Sequence, residues 1–174
     1  MQHATEHSKH QYAKHGPQAP SHDEGHGAHA YLRLFAMVSL SFAVMYVLMY
    51  AMVDKFGNVF NNVNQFYMAG LMASPMLIIE LLLMAGMYRN RRWNLVLGTG
   101  AAVFMALCWF GIRDQAAVSD RQFIRSMIPH HAGAILMCEQ NRLQDPELQQ
   151  LCGDILSSQK AEIAQMKALL EKVR

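Results

Sequence analysis

The run Met127-Ile128-Pro129-His130-His131, continuing through Gly133 to Met137 and Cys138, concentrates thioether, imidazole and thiol groups in a few turns of chain. Met127 precedes His130 by three residues and His131 by four, so either pair can share a helix face. Imidazole with thioether is a soft donor set, which suits copper, above all Cu(I), better than magnesium or calcium. The structural alternative is that Met fills core gaps and that neighbouring histidines beside a proline cap and kink a helix. Carboxylate di-iron bundles need Glu-x-x-His pairs. Neither Glu139 nor Glu162 is followed by His three residues on, so a ferroxidase-type centre is not expected.

The elements that must position these groups begin at Ser119, where the period becomes that of amphipathic helices. Ser119-Asp120-Arg121-Gln122 reads as a capping box in which Gln122 reaches back to the cap. Ile124, Met127, Ile128, His131, Ile135 and Cys138 then form a helical stripe. Asp145-Pro146-Glu147 starts a second helix with a cap residue, Pro at the first position and an acid. Leu148, Cys152, Ile155, Gln159, Ile163, Met166 and Leu170 make the facing stripe. Folding at Leu143–Asp145 gives an antiparallel hairpin that sets His130 level with Gln159, Met127 with Glu162, and Cys138 with Cys152. Met166 lies one turn beyond Glu162. Outside the cytoplasm Cys138 and Cys152 could form a disulfide; packed free thiols are the alternative. Two such helices cannot bury both apolar faces alone. A second copy completing a four-helix bundle predicts a homo-oligomer through this segment. Packing back onto the rest of the chain is the rival solution.

Upstream, the chain is built for lipid. Of its 174 residues 52% are hydrophobic and 16% charged, against roughly 25% charged in soluble domains. The apolar residues gather in three blocks, 34–53, 66–88 and 93–112, within a membrane domain at 31–112. Each reaches the roughly 20 residues that a hydrocarbon core demands. Pro75 and Glu80 interrupt the second block, and Trp93 and Trp109 sit near the ends of the third, as interfacial anchors do. Polar sequence precedes the first block and no cleavage pattern follows it, so it is not read as a signal peptide. A net charge of +2, with no basic patch interleaved with aromatics, excludes a nucleic-acid partner. Three cysteines are too few for a disulfide framework.

Arg89, Arg91 and Arg92 crowd the link between the second and third blocks, whereas the Asn-rich stretch 54–65 carries only Lys55. The positive-inside rule therefore predicts a multi-pass protein of the plasma (inner) membrane with its N-terminus in the cytoplasm and residues 113–174 outside. Arg113, Arg121 and Arg125 pull mildly the other way. Residues 1–30 hold His3, His7, His10, His15, His22, His26 and His29 among glycines and prolines, a disordered tail that binds Zn, Ni or Cu loosely or is polar filler. Met72, Met76, Glu80, Met84 and Met87 share one face of the second block, and Met45, Met49 and Met52 one face of the first. Such a stripe could relay Cu(I) around an ionisable group or simply pack, with Gly70 and Ser74 as a small-residue contact.

The run Phe123-Ile124-Arg125-Ser126-Met127-Ile128-Pro129-His130-His131-Ala132-Gly133-Ala134-Ile135, with Ser158-Gln159-Lys160-Ala161-Glu162-Ile163-Ala164-Gln165-Met166, closely resembles the domain of unknown function 305 family. The sequence from Tyr31 onward resembles a subgroup with three spans before that domain. The resemblance implies a ferritin-like helical arrangement and, as in some members, periplasmic copper binding. It carries Met127, His130, His131, Gln159, Glu162 and Met166 over as metal ligands; Met137, Cys138 and Cys152 are secondary candidates. The expected fold is all-α: three transmembrane helices, then an extracytoplasmic antiparallel hairpin, half of a ferritin-like four-helix bundle. The expected function is membrane-anchored metal binding in copper homeostasis, with a non-catalytic oligomerisation module as the alternative. No nucleotide loop, organic cofactor motif or catalytic triad argues for an enzyme; a redox-active copper or cysteine site is the weakest reading.

Overall fold

The computed structural model describes residues 23–173, and the chain there is helical with no strand among the described residues. Its helices are α1 (Asp23–Leu48), α2 (Val63–Leu83), α3 (Arg91–Arg113), α4 (Asp120–Gln140) and α5 (Pro146–Leu170). Single 3-10 turns at Met49–Met52 and Phe56–Asn58 shape the passage from α1 to α2. His3, His7, His10, His15 and His22 of the histidine-rich tail lie outside the described residues.

Three segments, His29–Met52, Val63–Leu83 and Arg91–Arg113, are long and apolar enough to cross a bilayer. Their surfaces agree: Phe35, Leu40, Leu82, Leu95, Leu107 and Phe110 are all exposed. In lipid such side chains need no protein cover, so association falls to small residues that let backbones approach. A Cβ added at Gly70 would stand 2.6 Å from Cys108 Sγ, and one at Gly111 2.9 Å from the Tyr67 ring. Ser74, the expected partner of Gly70, is buried and donates its hydroxyl to the Gly70 carbonyl at 2.7 Å.

The helix ends differ from the apolar blocks for local reasons. α1 extends upstream to Asp23, ahead of Tyr31. α2 starts at Val63 because Asn62 caps it, accepting from Gln65 N at 2.9 Å. It runs through Pro75 without a break but stops at Leu83, where Met84–Met87 turn through a Met87 N–H to Met84 carbonyl bond of 2.9 Å. Hydropathy alone misplaces both ends, since Asn64 and Gln65 are polar yet helical while Met84 and Met87 are apolar yet outside the helix.

The two ends of the bundle are distinct. Tyr31 donates to Asn94 Oδ1 at 2.6 Å and stacks on Tyr88 with ring centroids 5.3 Å apart, so the first turns of α1 join the arginine link at one end. Passage 53–62, the end of α3 and the hairpin occupy the other. There Ala116 N–H returns to the Gly111 carbonyl at 2.9 Å, with Gln115 at φ 49°. That left-handed stop closes α3 and aims the chain into α4.

The hairpin forms largely as its caps dictate. Ser119 Oγ accepts from Gln122 N at 3.4 Å, and Asp145 accepts from Glu147 N and Leu148 N at 2.8 and 3.1 Å. Ile124, Ile128, Ala132, Ile135 and Ile163 form its core, joined by Leu156, Met166 and Leu170, and also by Val53 and Phe60 from the inter-helix passage. Part of the face expected to seek a second copy is therefore covered by the chain itself. Gln122 does not reach back to its cap. Its Oε1 accepts from Val63 N at 3.2 Å, the first amide of α2, which has no acceptor within its own helix.

Gly70→Val should destabilise the bundle by at least about 1–3 kcal/mol through overpacking, whereas Gly100→Ala, with nothing near its Cβ position, should be neutral. Thermal unfolding of the detergent-solubilised protein by circular dichroism checks both; equal midpoints would show that α2 and α3 do not meet at Gly70.

Candidate soft-metal site

α4 carries chemistry on two faces because consecutive residues on a helix point about 100° apart. Ile124, Ile128, Ala132 and Ile135 turn toward the hairpin core. Met127, His130, Gly133, Ala134 and Met137 turn toward the end of the apolar bundle. His130 and His131, read together in sequence, are thereby divided between the faces, although their ring centroids remain 6.0 Å apart.

On the core side His131 is buried and both its ring nitrogens face acceptors. Nδ1 lies 3.0 Å from the Met127 carbonyl and Nε2 2.7 Å from Glu162 Oε2. Both ring nitrogens are thus taken up by protein oxygens within the hairpin. The pair holds α4 to α5 one turn from the apolar core. Where Met127 was expected level with Glu162, the side chain that faces Glu162 is that of His131. Met166 packs against the core cluster. Gln159 Oε1 is buried without a hydrogen-bond partner among the described residues.

Farther along the same interface Cys138 and Cys152 are disulfide-bonded, with Cα atoms 5.4 Å apart. The level drawn from helical spacing is the one the bond uses, and of the two open alternatives the structure takes the disulfide. Both sulfurs are consumed and neither is a free thiolate. Lys160 and Glu139 add an exposed ion pair at 2.7 Å, a contact that counts for little.

The other face of α4 opens on a groove of about 430 Å³. Its donors are His130, Met127 and Met137 from α4, with Met49 and Met52 from the 3-10 turn after α1 and Met68 from the first turns of α2. His130 is exposed, and Met52, Met68 and Met137 are 55%, 44% and 55% exposed. The rim that presents the bundle methionines is fixed by hydrogen bonds: Gln65 Nε2 donates to the Tyr46 carbonyl at 2.8 Å, and Tyr50 OH to the Phe60 carbonyl at 2.8 Å. Tyr46 OH in turn bonds Asn61 Oδ1. Asn64 reaches Gln115 Oε1 at 3.1 Å and Ser126 Oγ at 3.4 Å, tying the rim to both hairpin and linker.

Among the described residues no three His, Cys, Asp or Glu side chains converge as a metal cluster. The donor set at the groove is one imidazole among thioethers. Its chemistry fits a soft monovalent ion such as Cu(I) and fits poorly the oxygen-seeking divalent ions. Of the residues anticipated as ligands, Met127, His130 and Met137 thus gather at one groove, whereas His131, Glu162 and Met166 serve the α4–α5 contact. Met68 had no signal of its own in the sequence. The small residues Gly133 and Ala134 between His130 and Met137 were the available sign that this second stripe of α4 approaches another segment.

The family model for the domain of unknown function 305 matches residues 111–171. Uncharacterized protein L153 of Acanthamoeba polyphaga mimivirus is 32% identical over 142 residues, which cover 80% of this chain and 91% of that protein. This chain belongs to the domain of unknown function 305 family. Likeness to the viral member reaches beyond the family segment into the apolar helices of this chain. No solved structure matches.

Replacing Cys138 and Cys152 together by Ser should lower hairpin stability by about 2–4 kcal/mol, the usual worth of a bond closing a loop of this size. Thermal unfolding with and without reductant checks it: the wild type should lose stability on reduction and the double variant should not respond.

Proposed function

We propose that this member of the domain of unknown function 305 family is a membrane-anchored copper-binding protein serving copper homeostasis, with its hairpin outside the cytoplasm. The observation that carries the proposal is the accessible imidazole–thioether face of α4, where Met127, His130 and Met137 line one groove. Accessible thioethers beside an exposed imidazole recognise Cu(I) by softness and leave it exchangeable, as delivery or buffering requires.

Two independent features support the assigned side. The arginines of the α2–α3 link lie at the end opposite the hairpin, which under the positive-inside rule supports a cytoplasmic link and an extracytoplasmic hairpin. The Cys138–Cys152 bond suits the same placement, since disulfides persist in oxidising compartments and are rare in the cytosol. A reporter enzyme active only outside the cytoplasm, fused after Val173, should be active; activity only from a cytoplasmic reporter at that position would reverse the orientation.

Copper binding is tested on the full chain in detergent by competition with a colorimetric Cu(I) chelator. About one Cu(I) per chain should be retained, and Met127→Leu with His130→Ala should weaken binding at least about tenfold. The Glu162→Gln variant should bind as the wild type does. Failure of the wild type to compete would overturn the proposal.

A further inference from the structure

We infer that the apolar bundle supplies part of the metal's coordination shell: at least one of Met49, Met52 and Met68 donates a thioether to the same ion that Met127, His130 and Met137 hold from the hairpin. This rests on the copper reading and specifies it, because it makes the site a junction between the two halves of the chain.

The hairpin face alone offers two thioethers and one imidazole. Thioethers are neutral and donate weakly, so a Cu(I) site built on them gains affinity by number. Met49, Met52 and Met68 of the bundle line the same groove. Met49 and Met52 stand three residues apart on the 3-10 turn Met49–Met52, where residues at that spacing eclipse on one side. The bond from Gln65 Nε2 to the Tyr46 carbonyl ties the last turn of α1, just before Met49, to the start of α2, which carries Met68. α4 runs close to the turn at Gly133, where a Cβ would stand at ordinary contact distance, 3.5 Å, from the Met52 carbonyl oxygen. Lys167 Nζ, donating to the Gly57 carbonyl at 2.9 Å, and Gln122, bonded to the first amide of α2, hold the hairpin in place from either side. Both donor sets are therefore presented by anchored backbone rather than by loose chain.

Met49, Met52 and Met68 fall outside residues 111–171, the segment that defines the family. A shared ion also makes occupancy and docking mutually dependent. Metal that binds only the docked form stabilises docking by mass action, so loading should protect the contact between α4 and the bundle rim.

X-ray absorption on the Cu(I)-loaded full chain counts sulfur neighbours without any substitution. The hairpin face can provide two, so three or more are expected and two or fewer would overturn the inference. Met49→Leu, Met52→Leu and Met68→Leu, singly and together, conserve volume. The triple variant should lose at least about 10–100-fold in Cu(I) affinity, the loss that removal of even an outer-shell partner causes. A triple variant binding like the wild type, while Met127→Leu with His130→Ala does not, would remove the bundle donors and leave copper binding by the hairpin standing. A wild type that binds no Cu(I) would instead remove the reading on which the inference rests.

Discussion

Where α2 leaves the apolar layer, its first amides have no acceptor in their own helix, and an unpaired N–H at such a boundary is costly. Asn62 takes one of them, and Gln122 of α4 takes another across a long sequence separation. That second bond fixes α4 against the end of the bundle. Once it is made, Ser126 falls beside Asn64, Gly133 falls against the Met52 backbone, and the stripe from Met127 to Met137 closes the groove from above. The apolar face left over on α4 is then covered by α5 together with Val53 and Phe60 of the inter-helix passage. The order of the molecule follows from satisfying polar backbone at the rim before burying carbon.

The two faces of α4 bear on how the motif is read. A Met-x-x-His-His segment invites a single site containing both imidazoles. On a helix these neighbours diverge, and the structure uses the divergence: His131 spends both nitrogens on the Met127 carbonyl and Glu162, while His130 remains accessible. A carboxylate and an imidazole that looked like ligands hold the hairpin together, much as Cys138 and Cys152 do at the next level. The thioethers that looked like filler in the apolar blocks emerge half-exposed at the groove.

Periodicity was enough to read the all-helical architecture, three apolar spans and a hairpin whose register brings Cys138 to Cys152, because each depends on local patterning and caps. Helix ends were less legible, since Asn64 and Gln65 are helical through the Asn62 cap despite their polarity. The junction was not legible. Gln122 obeys a capping signature yet bonds elsewhere, and no periodic signal links Met68 to His130 across the intervening helix. Met72, Met84 and Met87, which share the sequence signature of Met49 and Met52, stay on the outer surface of the second apolar segment and the turn after it, each more than 40% exposed. Their height along the bundle, not their spacing, separates them from the groove.

The most direct measurement is an anomalous difference map from crystals of the full chain loaded with Ag(I), a redox-inert stand-in for Cu(I). The expected peak lies in the groove, within bonding reach of His130 on one side and of Met52 or Met68 on the other. A peak on the α5 side of α4, between His131 and Glu162, would contradict the division of labour between the two faces of that helix.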